Sequence, residues 1–276
     1  MQESLKGDVQ KGRALRARCK LQTSNFKPAF GPPADPSPRL FALRLAVSQY
    51  PHPTFDLACR RCPRLARHLD AVRQAHPDYH ARPVPPFGDP AARLLIVGLA
   101  PGLHGANRTG RPFTGDYAGI LLYATLFRHG FGSTPESVAS DDALVLRGCR
   151  ITNAVKCLPP ENKPTTDEVR TCSAFLAAEL AELASLHDGG AVLLALGQVA
   201  HGAVLRALKL KQAAWRFAHA AEHALPNGMT LIDSYHCSRY NTQTGRLTAA
   251  MFDAVVGRCR ELSTEYGVRS TGDRPV

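Results

Sequence analysis

The sequence predicts an α/β protein in which a parallel sheet is covered on both faces by helices. Three observations lead there. Four short apolar runs punctuate the chain: LLIVGLA from Leu94, CRITNAV over 149–155, AVLLALG over 191–197 and MTLIDSY over 229–235. Continuous runs of this kind suit strands buried on both sides. Segments with helical spacing separate them. Consecutive strands joined through helices lie parallel, because each crossover returns over a face of the sheet.

Each element follows in chain order. Residues 1–50 show little periodicity, and Pro28, Pro32, Pro33, Pro36 and Pro38 mark an extended arm. A helix is expected over 54–73, with Cys59 and Cys62 near its start, and the proline-rich ARPVPPFGDP connects it to the first strand. Pro101 and Gly102 end that strand. Helices are expected over 115–129, 165–186, 198–208 and 247–262. Pro164 and a Thr165–Glu168 capping box open the second of these. The domain so defined spans 51–265, leaving a tail over 266–276. Ligands of such sheets bind beyond the carboxyl ends of the strands. The loops after Ala100, Asn153 and Tyr235 hold the unusual residues.

Composition narrows the partners. The formal net charge of +11 favours a polyanion, nucleic acid before an anionic membrane. No apolar run reaches the roughly 18 residues of a membrane span. The charged N-terminus lacks the apolar core of a secretion signal, so a cytoplasmic, nucleoid-associated protein is expected. Eight cysteines in a reducing compartment point to metal or free thiols rather than disulfides.

The chemistry-bearing residues form four groups. Cys59 and Cys62 make a C-x-x-C pair in CRRCPRL, and Cys157 and Cys172 bracket KCLPPENKPTTDEVRTC. Such thiolates bind zinc or an iron–sulfur cluster, and spacing alone leaves both open. A redox pair is disfavoured by the lack of a preceding thioredoxin-like βα pattern. Cys19, Cys149, Cys237 and Cys259 read as core or surface thiols. The loop GLAPGLHGANRTGRPFTGDYAG has neither a Walker nor a dinucleotide glycine pattern, so no nucleotide cofactor is expected. Its glycines allow close approach to a ligand. Phe113 offers a flat face for a planar base. Asp116 is placed to orient water, face a cation or cap a helix. His236 follows the last strand, ahead of a loop rich in amides and cations that suits phosphates: Arg239, Asn241, Gln243 and Arg246. Asn153 ends its strand with a donor and an acceptor side by side, matching the N3–H and O4 edge of uracil.

Together these segments resemble the uracil-DNA glycosylase superfamily, and most closely its family 5, or type B. The resemblance covers about residues 55–265. It is strongest in GLAPGLHGANRTGRPFTGD and SYHCSRYNTQTGRLT. It implies a three-layer α/β/α sandwich on a four-stranded parallel sheet. It also implies a four-iron, four-sulfur (4Fe-4S) cluster held by Cys59, Cys62, Cys157 and Cys172. By the same resemblance Asp116 is the catalytic acid residue, His236 faces the pyrimidine O2, and Phe113 stacks on the extruded base. Gly98, Ala100 and Gly102 match the pocket floor, and Asn162 in PPENKP matches an active-site asparagine. Leu99 and Ala100 stand where other branches carry a polar water-activating residue. Many family 5 members have a small residue where this chain has Asn153, so a narrower preference for uracil is expected.

The implied activity is base excision: uracil is flipped from DNA and its glycosidic bond hydrolysed to leave an abasic site. No lysine holds an evident nucleophile position, so a monofunctional enzyme is expected, acting as a monomer on uracil-containing DNA. The alternatives are a non-catalytic iron–sulfur module that binds damaged DNA, and a small-molecule α/β enzyme.

Overall fold

The computed structural model describes residues 55–272. The expected arm over 1–50 lies outside the described residues. The sheet has six strands: β1 (Phe87–Gly88), β2 (Leu94–Gly98), β3 (Cys149–Asn153), β4 (Val192–Leu196), β5 (Glu222–Ala224) and β6 (Thr230–Ser234). Their spatial order is β1-β3-β2-β4-β6-β5. The expected strands are β2, β3, β4 and β6, and they pair in parallel, with Leu94 opposite both Cys149 and Val192 and Val192 opposite Thr230. The sheet is nevertheless mixed, because β1 and β5 pair antiparallel at its edges. Runs of two and three residues are too short to register as strands in the sequence.

The helices are α1 (Pro63–Ala75), α2 (Ala106–Thr109), α3 (Tyr117–Arg128), α4 (Thr166–His187), α5 (Gln198–Ala207), α6 (Arg239–Gln243) and α7 (Ala249–Gly272). Three expectations need correction. The first helix starts at Pro63 rather than near 54. Proline favours the first helical position, and Cys62 takes the cap site. The segment over 238–246, read as a loop, contains α6, whose cap Ser238 accepts a hydrogen bond from the Asn241 N–H. The last helix continues to Gly272, past the expected boundary at 265. Its extension is anchored by Tyr266, whose hydroxyl lies 2.8 Å from that of Thr230. The capping box of α4 is present as expected.

Alternate residues of each central strand point into separate layers. Leu95, Val97, Leu193 and Leu231 pack with α1, α4 and α5, while Leu94, Ile96, Leu194 and Ile232 pack with α3 and α7. The chain steps from β2 to β3 on one side and returns to β4 on the other. That reversal opens a crevice at the strand ends.

Candidate active site

The loops that leave β2 and β3 stay joined beyond the sheet. The N–H groups of Ala154 and Val155 donate to the carbonyls of Gly98 and Leu99 at 2.9 and 3.0 Å. Past this seam opens a cleft of about 400 Å³. Its walls include Phe113 and Asp116 from the loop before α3, Asn153 at the end of β3, Asn162 from the segment after it, and His236 after β6. Ala100 and Gly102 line it as expected. Gly98 lies one layer beneath, where an added methyl would fall 2.4 Å from Asn153 Oδ1 and 2.7 Å from Phe113 Cζ. Asn162 sits at the exposed rim, in a short 3-10 turn over Pro160–Asn162.

Phe113 has a left-handed backbone, φ 57°. For a residue of this bulk that conformation costs about 1–3 kcal/mol, which the surrounding structure must offset. Its ring lies 6.0 Å from that of His236, with 30° between planes. A planar base entering beside them has aromatic surface to stack on.

Asp116 sits at the cap position of α3 but makes no capping bond. Its carboxylate turns instead toward the glycine-rich loop, where Oδ2 accepts the Ala106 N–H at 3.2 Å. The loop leaves room for it at Gly102 and Gly105; a methyl on Gly105 would fall 1.8 Å from Oδ1. Burial raises the Asp116 carboxyl above its ordinary range, against the opposing pull of the Ala106 bond and of Arg108. A carboxylate so shifted is a better proton acceptor.

Burial also sets the state of His236, pushing it down to about 4. The imidazole is therefore neutral near neutral pH and acts as a hydrogen-bond donor rather than a cation. Asn241 Nδ2 donates to the His236 carbonyl at 2.8 Å and holds this turn in place. Asn153 is 3% exposed, and its Oδ1 has no hydrogen-bond partner. A buried acceptor left unpaired at a cleft wall suits a ligand N–H.

The residues expected on the DNA side divide. Arg239 lines the cleft and lies over the Tyr117 ring at 4.7 Å. Asn241 and Arg246 line an adjoining hollow that shares His236, and Arg246 covers the Tyr235 ring at 4.6 Å. Gln243 is exposed at the end of α6. Sequence reasoning missed Tyr117 in the cleft wall and Tyr240, which is 71% exposed on α6. The signal was present: an aromatic inside the polar string RYNTQ.

On the other face of the sheet, Cys59, Cys62, Cys157 and Cys172 line one small cavity. All four are free thiols. The Lys156 N–H donates to Cys172 Sγ at 3.3 Å. Among the described residues, the only three or more metal-ligating groups whose donor atoms all lie within 4.8 Å of one another are His201, His223 and Asp233. The histidine set reads as a clamp: His201 Nδ1 and His223 Nε2 lie 2.8 and 2.9 Å from the two Asp233 oxygens, at direct hydrogen-bond distance.

The chain is similar in sequence to known proteins. The profile of the Uracil DNA glycosylase superfamily matches residues 85–259. A Type-5 uracil-DNA glycosylase of Thermus thermophilus is 48% identical over 211 residues, 75% of this chain and 94% of its own. One from Pyrobaculum aerophilum is 42% identical over 204 residues, covering 72% and 87%. Another, from Mycobacterium bovis, is 44% identical over 212 residues, covering 74% and 78%.

Proposed function

Since this chain belongs to the uracil-DNA glycosylase superfamily, we propose that its cleft holds a uracil turned out of DNA while water takes the base's place on the sugar. The protein is a uracil-DNA glycosylase that removes uracil in base excision repair. One observation above others supports the cleft as the place: a stacking ring, a raised carboxyl, a neutral imidazole and an unpaired amide oxygen share its walls.

The roles follow from the chemistry. Extruding a base costs a few kcal/mol, and stacking on Phe113 returns roughly 1–3 kcal/mol. Tyr240, exposed on α6 next to Arg239 of the cleft wall, is the aromatic available to fill the gap left in the stack. Asn153 Oδ1 accepts the uracil N3–H and its amide donates to O4. When the glycosidic bond breaks, the electron pair leaves with the base and charge collects at O2. A hydrogen bond from neutral His236 to that oxygen is worth roughly 3–4 kcal/mol. Asp116 faces the sugar cation and takes the proton of the water that adds to the anomeric carbon. Asn162 at the rim helps hold that water. The products are free uracil and an abasic site.

Among the described residues no lysine lines the cleft; Lys156 is buried against Glu179 at 2.6 Å, and Lys163, beside the rim, pairs with Glu161 at 3.3 Å. We therefore assign monofunctional hydrolysis without strand cleavage. Asn153 implies a preference for uracil over hypoxanthine, since a purine presents a different edge to the amide. The enzyme is assigned to chromosomal DNA in the cytoplasm, as a monomer. Among the described residues no helix is long and apolar enough to cross a membrane.

The four cysteines suit a 4Fe-4S cluster: they line one cavity, none is in a disulfide, and a backbone N–H is directed at one sulfur. When bound, the cluster supplies four iron–thiolate links that tie the start of α1 to the segment after β3 and to α4. Cys172→Ala should lose bound iron and visible absorption.

The deciding experiment is incubation with a uracil-containing duplex followed by hot alkali. Strand scission only after alkali, together with released uracil, is expected. Binding without release would leave a damage-binding module. A complex trapped with borohydride would overturn the monofunctional assignment. Equal rates on hypoxanthine and uracil would overturn the role of Asn153.

A further inference from the structure

The stacking ring is held from behind by side chains that stay outside the cleft. An aromatic residue abandons a left-handed backbone unless its neighbours are fixed. Before Phe113, the Pro112 carbonyl accepts a hydrogen bond from the Tyr123 hydroxyl at 2.6 Å. Tyr123 belongs to α3 and is 1% exposed. After Phe113, the hydroxyls of Thr114 and Ser137 lie 2.7 Å apart, and the Gly115 N–H donates to the Ser137 carbonyl at 3.0 Å.

Ser137 is itself fixed. Its hydroxyl accepts from the Arg111 guanidinium at 3.0 Å. The same guanidinium pairs with Asp142 and donates to the Ser140 carbonyl. Asp142 also accepts the N–H groups of Val138, Ala139 and Leu144 at 3.0, 3.3 and 3.2 Å. The phenylalanine thus stands between a tyrosine on one side and a half-buried ion pair on the other. Behind its carbonyl α3 comes so close that a methyl on Gly119 would lie 2.0 Å from the oxygen.

We propose that Tyr123 and the Arg111–Asp142 pair are positioning residues that set the Phe113 ring before DNA arrives. The proposal rests on the reading of this ring as the surface that holds the base. A ring free to leave its place must be re-ordered at every capture, so the bond-breaking step slows while phosphate contacts are untouched.

The test is single-turnover uracil release by Tyr123→Phe, Phe113→Ala and the double variant, with duplex affinity and Tm measured alongside. Tyr123→Phe removes one oxygen and keeps the ring that fills the core. It should slow release about tenfold with affinity unchanged. In the Phe113→Ala background the same change should have little further effect. Asp142→Asn should repeat the pattern. An equal loss in both backgrounds would make Tyr123 a general structural residue, and no loss in the parent background would also overturn the proposal. A Phe113→Ala enzyme as fast as its parent would remove the base-holding reading instead, and this proposal with it.

Discussion

Removing the charge of Asp116 is the sharpest single-residue test of the cleft. Asp116→Asn should slow uracil release by about 10²–10⁴-fold while leaving duplex affinity unchanged; equal loss of both would make Asp116 structural. Burial raises this carboxyl, so the acid limb of the rate should lie above the ordinary carboxylate range and vanish in the variant. His236 should add no limb near the usual histidine value of about 6.5, because burial already holds it to about 4. Gly105→Ala is a second route to the same loss. Its methyl would occupy the place of Asp116 Oδ1, 1.8 Å away, so turnover per folded molecule should fall even though no reacting group is altered. Asp116, His236 and Phe113 were legible in the sequence because they sit in long, compositionally rare strings. Tyr123 and the Arg111–Asp142 pair were not. The Arg111–Asp142 link reaches into a segment over 133–147 that has no periodicity, and only tertiary contact shows the Tyr123 hydroxyl meeting the Pro112 carbonyl.

Elements behave according to what fixes their ends. Helix α4 depends on Thr165, whose hydroxyl accepts the Glu168 N–H while Glu168 accepts the Thr165 N–H. Thr165→Ala should cost about 1 kcal/mol, read as a lower Tm. Glu168 also binds Arg64 of α1 at 2.7 and 2.8 Å, so a loosened cap should raise hydrogen exchange in α1 as well. The clamp between α5 and β6 carries a pH signature. Burial opposes charge on His201, but the bond to Asp233 and its charge prevail and raise the group. Its contribution is full below the unfolded value of about 6.5 and is lost as pH rises through the higher folded value. Asp233→Asn should remove that alkaline decline in thermal stability. The central strands and the long helices were readable from period and capping residues. The edge strands and the true start of α1 were not: short pairings follow from what lies beside them, and Cys62 gives no ordinary capping signal.

At the scale of the whole molecule, charge governs how DNA is met. The formal surplus of +11 makes binding weaken with salt. Arg246→Ala should weaken duplex binding about equally for uracil-containing and normal DNA and reduce the salt slope by about one; a loss confined to uracil-containing DNA would move Arg246 into base recognition. The polyanionic partner was legible in composition, whereas the split of the cationic segment between the cleft and an adjoining hollow required the fold.

The central sheet also decides how mutations are felt. Leu94 and Ile96 look toward the layer of Phe113, while Leu95 and Val97 look toward that of Cys157 and Cys172. Adjacent codons in β2 thus answer to different clients. A harmful change at an even position should be compensated among α3 and α7, and one at an odd position among α1, α4 and α5. Inherited drift along this strand would then follow two interleaved histories that share a backbone.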